Sequence, residues 1–327
     1  MTSLLILFVA IVSGLLGTWG SRSIAHYFNI VNNPNSIVPQ HTKAIAYLGG
    51  LGIYLGILFI VVATYSLSEM PLLFLGLSGG YMILGIIDDL TVMTPAIKFT
   101  FQLALAILSV SLGVKYAFTN ILWLDMTLSA FWILVLVNAY NLTDVCDGLV
   151  GGLSIVSTLV IFFLVSDAGI LPLIVSGATI GFLFFNAPPA SIFMGDAGSH
   201  LLGFILAYFS LTIALGDNIT FDFLPLASLS GVMLFELVFL IYTRTKKNLK
   251  WWQGSNDHFS LRLQAHGWSK WKTNIFAWFL GTLCGLPMLL TFFDCKLYVC
   301  LLSIVLILAI FLKTAHFLLQ IEARNKI

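Results

Sequence analysis

Two adjacent aspartates, Asp88 and Asp89, follow a pair of isoleucines at the end of one apolar run. A second polar group, Asn138-Ala-Tyr-Asn141-Leu-Thr-Asp144-Val-Cys146-Asp147-Gly148, follows another run, and a third, Phe193-Met-Gly195-Asp196-Ala-Gly198, precedes one. Together they take five of the 14 Asp and Glu residues in a chain that is 59% hydrophobic. Carboxylates gathered without matching basic residues repel, since two like charges about 4 Å apart cost about 4 kcal/mol at an effective dielectric near 20. Either some stay protonated or a cation offsets them. Oxygen-only ligands favour magnesium, manganese or calcium over zinc. Magnesium is usually held by one or two protein oxygens plus waters and substrate phosphates. Five acids therefore cannot all be ligands, and their roles must divide.

Adjacent helical residues point about 100° apart, so Asp88 and Asp89 do different jobs. The plain alternative is a solvated helix end, although the dipole disfavours acids at a helix C-terminus. Asn141, Asp144 and Asp147 fall at i, i+3 and i+6 and line one face if a helix starts here; they would equally serve as an N-cap and first-turn acids. Gly148, Gly151 and Gly152 then allow a ligand close to the backbone. Gly195-Asp196-Ala-Gly198-Ser199 opens an apolar stretch, where exposed amides at a helix N-terminus suit a phosphate; the alternative is a turn with Ser199 as N-cap. Phe193 either stacks on a base or anchors that turn. His258 and Arg262 lie in a long basic loop, where such a pair is structural or holds lipid head groups. The run from Arg244 to Lys250 reads as juxtamembrane charge that also attracts anionic lipid.

The elements that must position these groups are membrane helices. Only 9% of the 327 residues are charged and the mean hydropathy is +1.02, whereas a soluble domain carries about a quarter charged residues. Eleven apolar spans are expected, near 3–21, 44–65, 70–87, 98–116, 120–137, 150–166, 169–186, 199–215, 222–243, 273–292 and 297–319. Asp125 interrupts the fifth, which leaves the count at 10–11. Open sheets cannot span lipid, so the fold is all-α and polytopic. The first span has no basic residue ahead of it and reads as a retained helix, not a cleaved signal. Taking loops alternately, thirteen Lys and Arg fall on one side and only Lys115 and Lys296 on the other. The positive-inside rule then places the N-terminus outside and the C-terminus in the cytoplasm, with Asp88, Asp89, Asp144, Asp147, Asp196 and Asp257 all cytoplasmic. Glu69, Asp167, Asp217, Asp222 and Asp294 are left in external turns. One domain, 1–327, is expected, with its site on loops 88–98, 138–152, 186–199 and 244–272. A net charge of +1 gives no reason to expect nucleic acid, and four cysteines without CxxC spacing indicate neither a disulfide framework nor zinc.

In order and spacing the chain resembles the polyprenyl-phosphate N-acetylhexosamine-1-phosphate transferases. The likeness runs from Asn33-Pro34-Asn35 and His41…Gly49-Gly50 through Asp88-Asp89…Lys98…Gln102 and Asn141-Leu-Thr-Asp144…Asp147-Gly148. It continues through Asn186…Phe193-Met-Gly-Asp196-Ala-Gly198-Ser199 to Glu236…Arg244…Gly254…Asp257-His258…Arg262. The resemblance implies transfer of a sugar 1-phosphate from a UDP-N-acetylhexosamine to polyprenyl (undecaprenyl) phosphate with release of UMP. That is the initiating step of O-antigen or other cell-envelope glycan synthesis in a bacterial inner membrane. It implies that Asp88 and Asp89 serve the lipid phosphate and that Asn141 and Asp196 bind Mg2+, with Mn2+ as substitute. Phe193 would contact the nucleobase and Asp144 and Asp147 would line the nucleotide site, with Lys98, Asn186 and Arg262 as further substrate contacts and His258 catalytic. A homodimer is compatible with it. Departures exist: Ser260 and Leu261 replace two histidines of the usual cluster, Ala44 and Ala46 replace prolines, and Val145-Cys146 stands where a Gly is usual. The reduced histidine cluster argues against the peptidoglycan branch. Two other classes remain: a catalytically impaired scaffolding homologue, and a transporter, for which only Glu236 lies within a span.

Overall fold

A computed structural model describes residues 2–32, 44–65, 69–91, 93–165, 168–213, 223–250 and 252–321. Asn33, Pro34, Asn35, His41, Lys43, Asp167, Asp217, Asp222, Arg324 and Lys326, invoked above, lie outside the described residues. In chain order the elements are α1 Ser3–Tyr27, β1 Val31–Asn32, β2 Ile45–Ala46, α2 Gly49–Thr64, α3 Glu69–Thr91, α4 Pro95–Ser111, α5 Leu122–Thr143 and α6 Leu149–Leu164. Then come α7 Leu171–Asn186, α8 Gly195–Thr212, α9 Phe223–Ser228, α10 Gly231–Lys246, α11 Phe259–Ala265, α12 Lys270–Leu283, α13 Leu286–Phe292 and α14 Leu297–Leu319. The described residues are thus mostly helical, as a bilayer that cannot satisfy exposed backbone groups requires. A helix, or two consecutive ones, lies at each expected apolar run. Among the described residues five stretches are long and apolar enough to cross a membrane: Ser3–Tyr27, Pro71–Thr91, Leu122–Thr143, Lys270–Phe292 and Leu297–Leu319. With the shorter apolar helices among them, they make this a multi-pass membrane protein.

α8 is the central helix. It packs against α2, α3, α5 and α6, and buried side chains run round its whole circumference, the pattern of a helix with no solvent face. Small residues let backbones meet, as in other membrane bundles. A Cβ added at Gly14 on α1 would stand 2.3 Å from the Ala178 carbonyl oxygen on α7, and one at Gly85 on α3 would stand 2.4 Å from the Ala197 backbone on α8. The second contact matters for function, because Gly85 lies one turn before Asp88 and Asp89.

The expected helix start at Asn141 is not where a helix starts. α5 continues to Thr143 and Asp144 is its C-cap, while α6 begins only at Leu149 behind Gly148, whose φ is +76°. Burial of Val137, Ala139 and Tyr140 carries α5 two turns past the end of its apolar run. Asn141, Asp144 and Asp147 therefore occupy a last turn, a cap and a loop, not one face. Likewise α8 begins at Gly195, so Ser199 is inside the helix and Asp196 is in its first turn.

Candidate active site

The first turn of α8 is held from two sides. β1 and β2 pair antiparallel, and Ala46 bridges to Ile192. Phe193 donates its N–H to the Ala46 carbonyl at 2.8 Å, and the carbonyls of Phe193 and Met194 accept from Gly49 and Gly50 at 2.9 and 3.0 Å. From the other side Asp89 reaches in. One carboxylate oxygen accepts the Asp196 N–H at 2.8 Å and the other the Ala197 N–H at 3.1 Å. These are orphan amides of a helix N-terminus, satisfied by an acid from another helix. Gly195 is required here: its φ is +73° and a Cβ would stand 2.6 Å from the Asp89 carboxylate.

Lys98 is the meeting point of the site. Thr94 caps α4, with Pro95 in its first turn, and one turn on, the Lys98 ammonium lies 2.7 Å from Asp88 and pairs also with Asp196. It donates to the Asn141 side-chain oxygen at 3.3 Å. Asn141 in turn donates to Asp196 at 2.7 Å and to the Ser199 hydroxyl at 3.1 Å. The Met93 N–H, at 2.8 Å, holds the other oxygen of Asp88. Four helices, α3, α4, α5 and α8, thus deliver two carboxylates, an amide and an ammonium to one point.

Asp144 stands beside this group, partly open to solvent. Burial, then the charges of Asp196 and Asp147, raise its carboxyl to about 8. Tyr47, from the β2–α2 junction, is raised well above its ordinary value by burial and by Asp89; its ring meets Phe193 edge-on at 6.3 Å between centroids. Phe193 is half-buried, so it anchors this corner whatever else it contacts.

Asp147 and Asn186 are engaged by the protein itself. Asp147 pairs with Lys270 at 2.8 Å and accepts the Ala190 N–H at 3.2 Å. Asn186 accepts from the Gly148 N–H and donates to the Ile192 carbonyl, both at 2.9 Å. Between them these two side chains tie the α5–α6 loop to the α7–α8 loop and to α12. Nor do the nearby glycines open a path to the backbone: a Cβ on Gly152 would overlap the Trp278 indole.

His258 and Arg262 make their contacts elsewhere. His258, 6% exposed, caps α11 and holds Glu236 of α10 at 2.7 Å through Nδ1, while the same carboxylate accepts the Phe259 N–H at 3.2 Å. Arg262 binds Asp257 at 2.6 Å and donates to the Leu318 and Ile321 carbonyls at 3.0 and 2.6 Å, closing the C-terminus of α14. Burial would raise Asp257, but Lys247 and Arg262 outweigh it and hold this carboxyl below its ordinary value. Arg262 is therefore bonded to the frame of the loop and is not among the groups that meet at Lys98.

The donor set fits a hard cation. Among the described residues no three His, Cys, Asp or Glu side chains gather to enclose a metal unaided. Asp196 and Asn141 nevertheless converge on one positive charge, the Lys98 ammonium, with Asp88 opposite. Two protein oxygens, with water and phosphate completing the shell, is the way magnesium is usually held.

Sequence reasoning met Glu236 only in the resemblance and in the transporter alternative, and did not pair it with His258, though a lone acid inside an apolar span was the available signal. It passed over His200 and Tyr47, which carry none. The model of the family described as "Glycosyl transferase family 4" matches residues 71–214, the segment that contributes Asp88, Asp89, Lys98, Asn141 and Asp196. A Bacillus subtilis (strain 168) protein named "Probable undecaprenyl-phosphate N-acetylglucosaminyl 1-phosphate transferase" is 31% identical over 290 residues, 84% of this chain and 80% of that protein. Phospho-N-acetylmuramoyl-pentapeptide-transferases of Staphylococcus carnosus (strain TM300) and Staphylococcus aureus (strain MSSA476) are 29% and 30% identical, over 73% of this chain and 82% of theirs. With that likeness extending over most of its length and through every helix of the Lys98 cluster, the chain belongs to glycosyl transferase family 4.

Proposed function

We propose that the protein transfers N-acetylhexosamine 1-phosphate from a UDP-sugar to polyprenyl phosphate. A lipid phosphate oxygen attacks the sugar-bound phosphorus, a new P–O bond forms, the bond to UMP breaks, and UMP leaves. Polyprenyl-diphospho-N-acetylhexosamine remains in the membrane as the first intermediate of a cell-envelope glycan. The observation that carries this reading is the meeting of Asp88, Lys98, Asn141 and Asp196 at one end of their helices. The names of the relatives, a probable undecaprenyl-phosphate N-acetylglucosaminyl 1-phosphate transferase and phospho-N-acetylmuramoyl-pentapeptide-transferases, support it.

A phosphate monoester has a second pKa near 6 and is largely ionised at neutral pH, so the barrier is chiefly two anions meeting. Lys98 offers an ammonium to the phosphates, and its pairing with Asp88 places that acid to orient the acceptor. Asp196 and Asn141 would hold Mg2+, or Mn2+ in its place; when bound, the ion supplies charge neutralisation to the diphosphate. Asp89 keeps Asp196 in place by capping α8. Asp144 faces the same point and lines the nucleotide side, and Phe193 and Tyr47 offer it an aromatic edge. The loss of two histidines beside His258 favours a branch outside peptidoglycan synthesis. We read the N-terminus as external and the C-terminus as cytoplasmic, in a bacterial inner membrane.

The test is purified protein in lipid nanodiscs with undecaprenyl phosphate and a panel of UDP-N-acetyl sugars, read as UMP release. One sugar should give sustained turnover. Omitting the lipid should give neither UMP nor labelled protein; a stoichiometric burst of UMP would make an aspartate the nucleophile instead, and no UMP from any sugar would end the reading.

A further inference from the structure

Beneath the charged cluster lies a second polar tier. Gln102 follows Lys98 by four residues on α4, His200 follows Asp196 by four on α8, and Asn138 precedes Asn141 by three on α5. Residues three or four apart share a helix face, so each member stands one turn deeper than a member of the cluster on the same helix. Gln102 and His200 are fully buried.

The bonds in this tier run in one direction only. The Leu134 carbonyl can only accept, and Asn138 lies 2.8 Å from it, so that end of the Asn138 amide is nitrogen. The same nitrogen donates to Gln102 at 2.9 Å, which makes that end of the Gln102 amide oxygen. The other end of Gln102 is then nitrogen and donates to His200 Nε2 at 3.2 Å. His200 accepts at Nε2, so its ring is neutral with the proton on Nδ1, a buried atom that has no partner among the described residues. An orphaned buried donor costs stability that an apolar ring in the same place would not. What His200 provides is an acceptor aimed at α4.

We propose that Gln102 and His200 are positioning residues. Their bond, continued through Asn138, sets the spacing and rotation of α4 and α8 against α5, and thereby holds the Lys98 ammonium where it reaches Asp196 and Asn141 together. Inside a membrane protein a slip of either helix leaves buried amide groups unbonded, so the tier tolerates one register. The proposal rests on the transferase reading for its kinetic consequences but not for its geometry, and a test can separate the two.

The full-length protein in nanodiscs carries Gln102→Met, His200→Phe, both together, or His200→Gln. Lys98 is followed by its rate of acetylation with acetic anhydride, read by mass spectrometry against the exposed Lys296. The thermal midpoint reports folding. The apolar variants should acetylate Lys98 at least ~5-fold faster and lower kcat at least ~10-fold, with KM for the UDP-sugar within about threefold, as expected for slight misplacement of a catalytic group. The double variant should fall no further than Gln102→Met alone, because that substitution already removes both Gln102 bonds, to Asn138 and to His200. His200→Gln, whose amide oxygen still accepts, should stay within about twofold of wild type on both readouts. Where a single apolar variant does not fold, the paired variant carries the test, since replacing both partners of a bond leaves neither unsatisfied. Folded variants with wild-type Lys98 acetylation overturn the proposal, even where turnover changes. Absence of UMP release by the wild-type protein would end the transferase reading and leave the acetylation result to decide the tier.

Discussion

Asp89 accepts the backbone N–H of Asp196 at 2.8 Å, so one acid of an adjacent pair aims the helix that carries another. Its neighbour Asp88 faces away and meets Lys98 at 2.7 Å. The 100° between consecutive helical side chains separates the carboxylate that caps α8 from the one that meets the ammonium.

The two should therefore fail differently. Asp89→Asn sets an amide NH2 against one of the two backbone N–H groups that the carboxyl oxygens accept and should lower the thermal midpoint, by the effect of about 1–3 kcal/mol expected when a buried donor loses its partner, and turnover should fall with it. Asp88→Asn should keep UDP-sugar binding within about threefold and still cut turnover by ~100-fold or more, about 2.7 kcal/mol or more in the barrier. Thermal scanning beside steady-state UMP release decides it; equal losses of stability in both variants would remove the division.

Chelation supplies the next expectation. Activity should disappear in EDTA and return with Mg2+ or Mn2+, and Asp196→Asn should lose at least ~100-fold because phosphoryl charge is no longer neutralised in place. Undiminished turnover in chelator would show that the oxygen cluster around Lys98 serves another purpose.

Stability should respond to pH through two acids of opposite sign. Asp144 is raised to about 8, chiefly by burial and then by Asp196 and Asp147, against an ordinary value of about 3.9 in the unfolded chain. Its neutral form suits the fold, so its contribution is intact below about pH 4 and is lost as pH rises through about 8. Asp257 is lowered, burial being outweighed by Lys247 and Arg262; its contribution is present above about pH 4 and is lost as pH falls through the lowered value. Asp144→Asn should flatten the decline of the thermal midpoint between about pH 4 and 8 measured without divalent cation. Asp257→Asn should instead remove part of the acid-side loss. An unchanged profile in Asp144→Asn would mean that the acid is solvated.

Orientation has its own check. A reporter fused after Lys250 should be cytoplasmic and one fused after Asp217 external, from the asymmetry of Lys and Arg. Both reporters on one side would break the convergence of the three acidic motifs on one membrane face.

Much of this was legible in the residues. Apolar runs between polar loops mark helices because lipid leaves the backbone no other way to bond, and the helices fall where those runs do. The motifs at Asp88, Asn141 and Asp196 stand out because an acid at the end of an apolar run has few other reasons to be there. Helix ends were less visible. α5 outruns its apolar stretch by two turns because Asn138 and Asn141 find partners on α4 and α8, and a hydropathy pattern holds no record of such partners.

The chain by itself determines that it is a bundle of membrane helices with acidic motifs at their ends, because composition and the 3.6-residue repeat act locally. Only the tertiary structure decides which acid does what. Asp88 and Asp89 are the same residue side by side until Gly85 lets α3 close on α8 and gives one of them two backbone amides and the other an ammonium. Asp147, Asn186 and Arg262, substrate contacts by the resemblance, are bonded to loops and helix ends through partners, Lys270, Gly148 and Leu318, that come from distant segments. The bond from Gln102 to His200 joins residues 98 positions apart. Partner choice at that separation is set by how closely helix backbones approach, and no local pattern carries it.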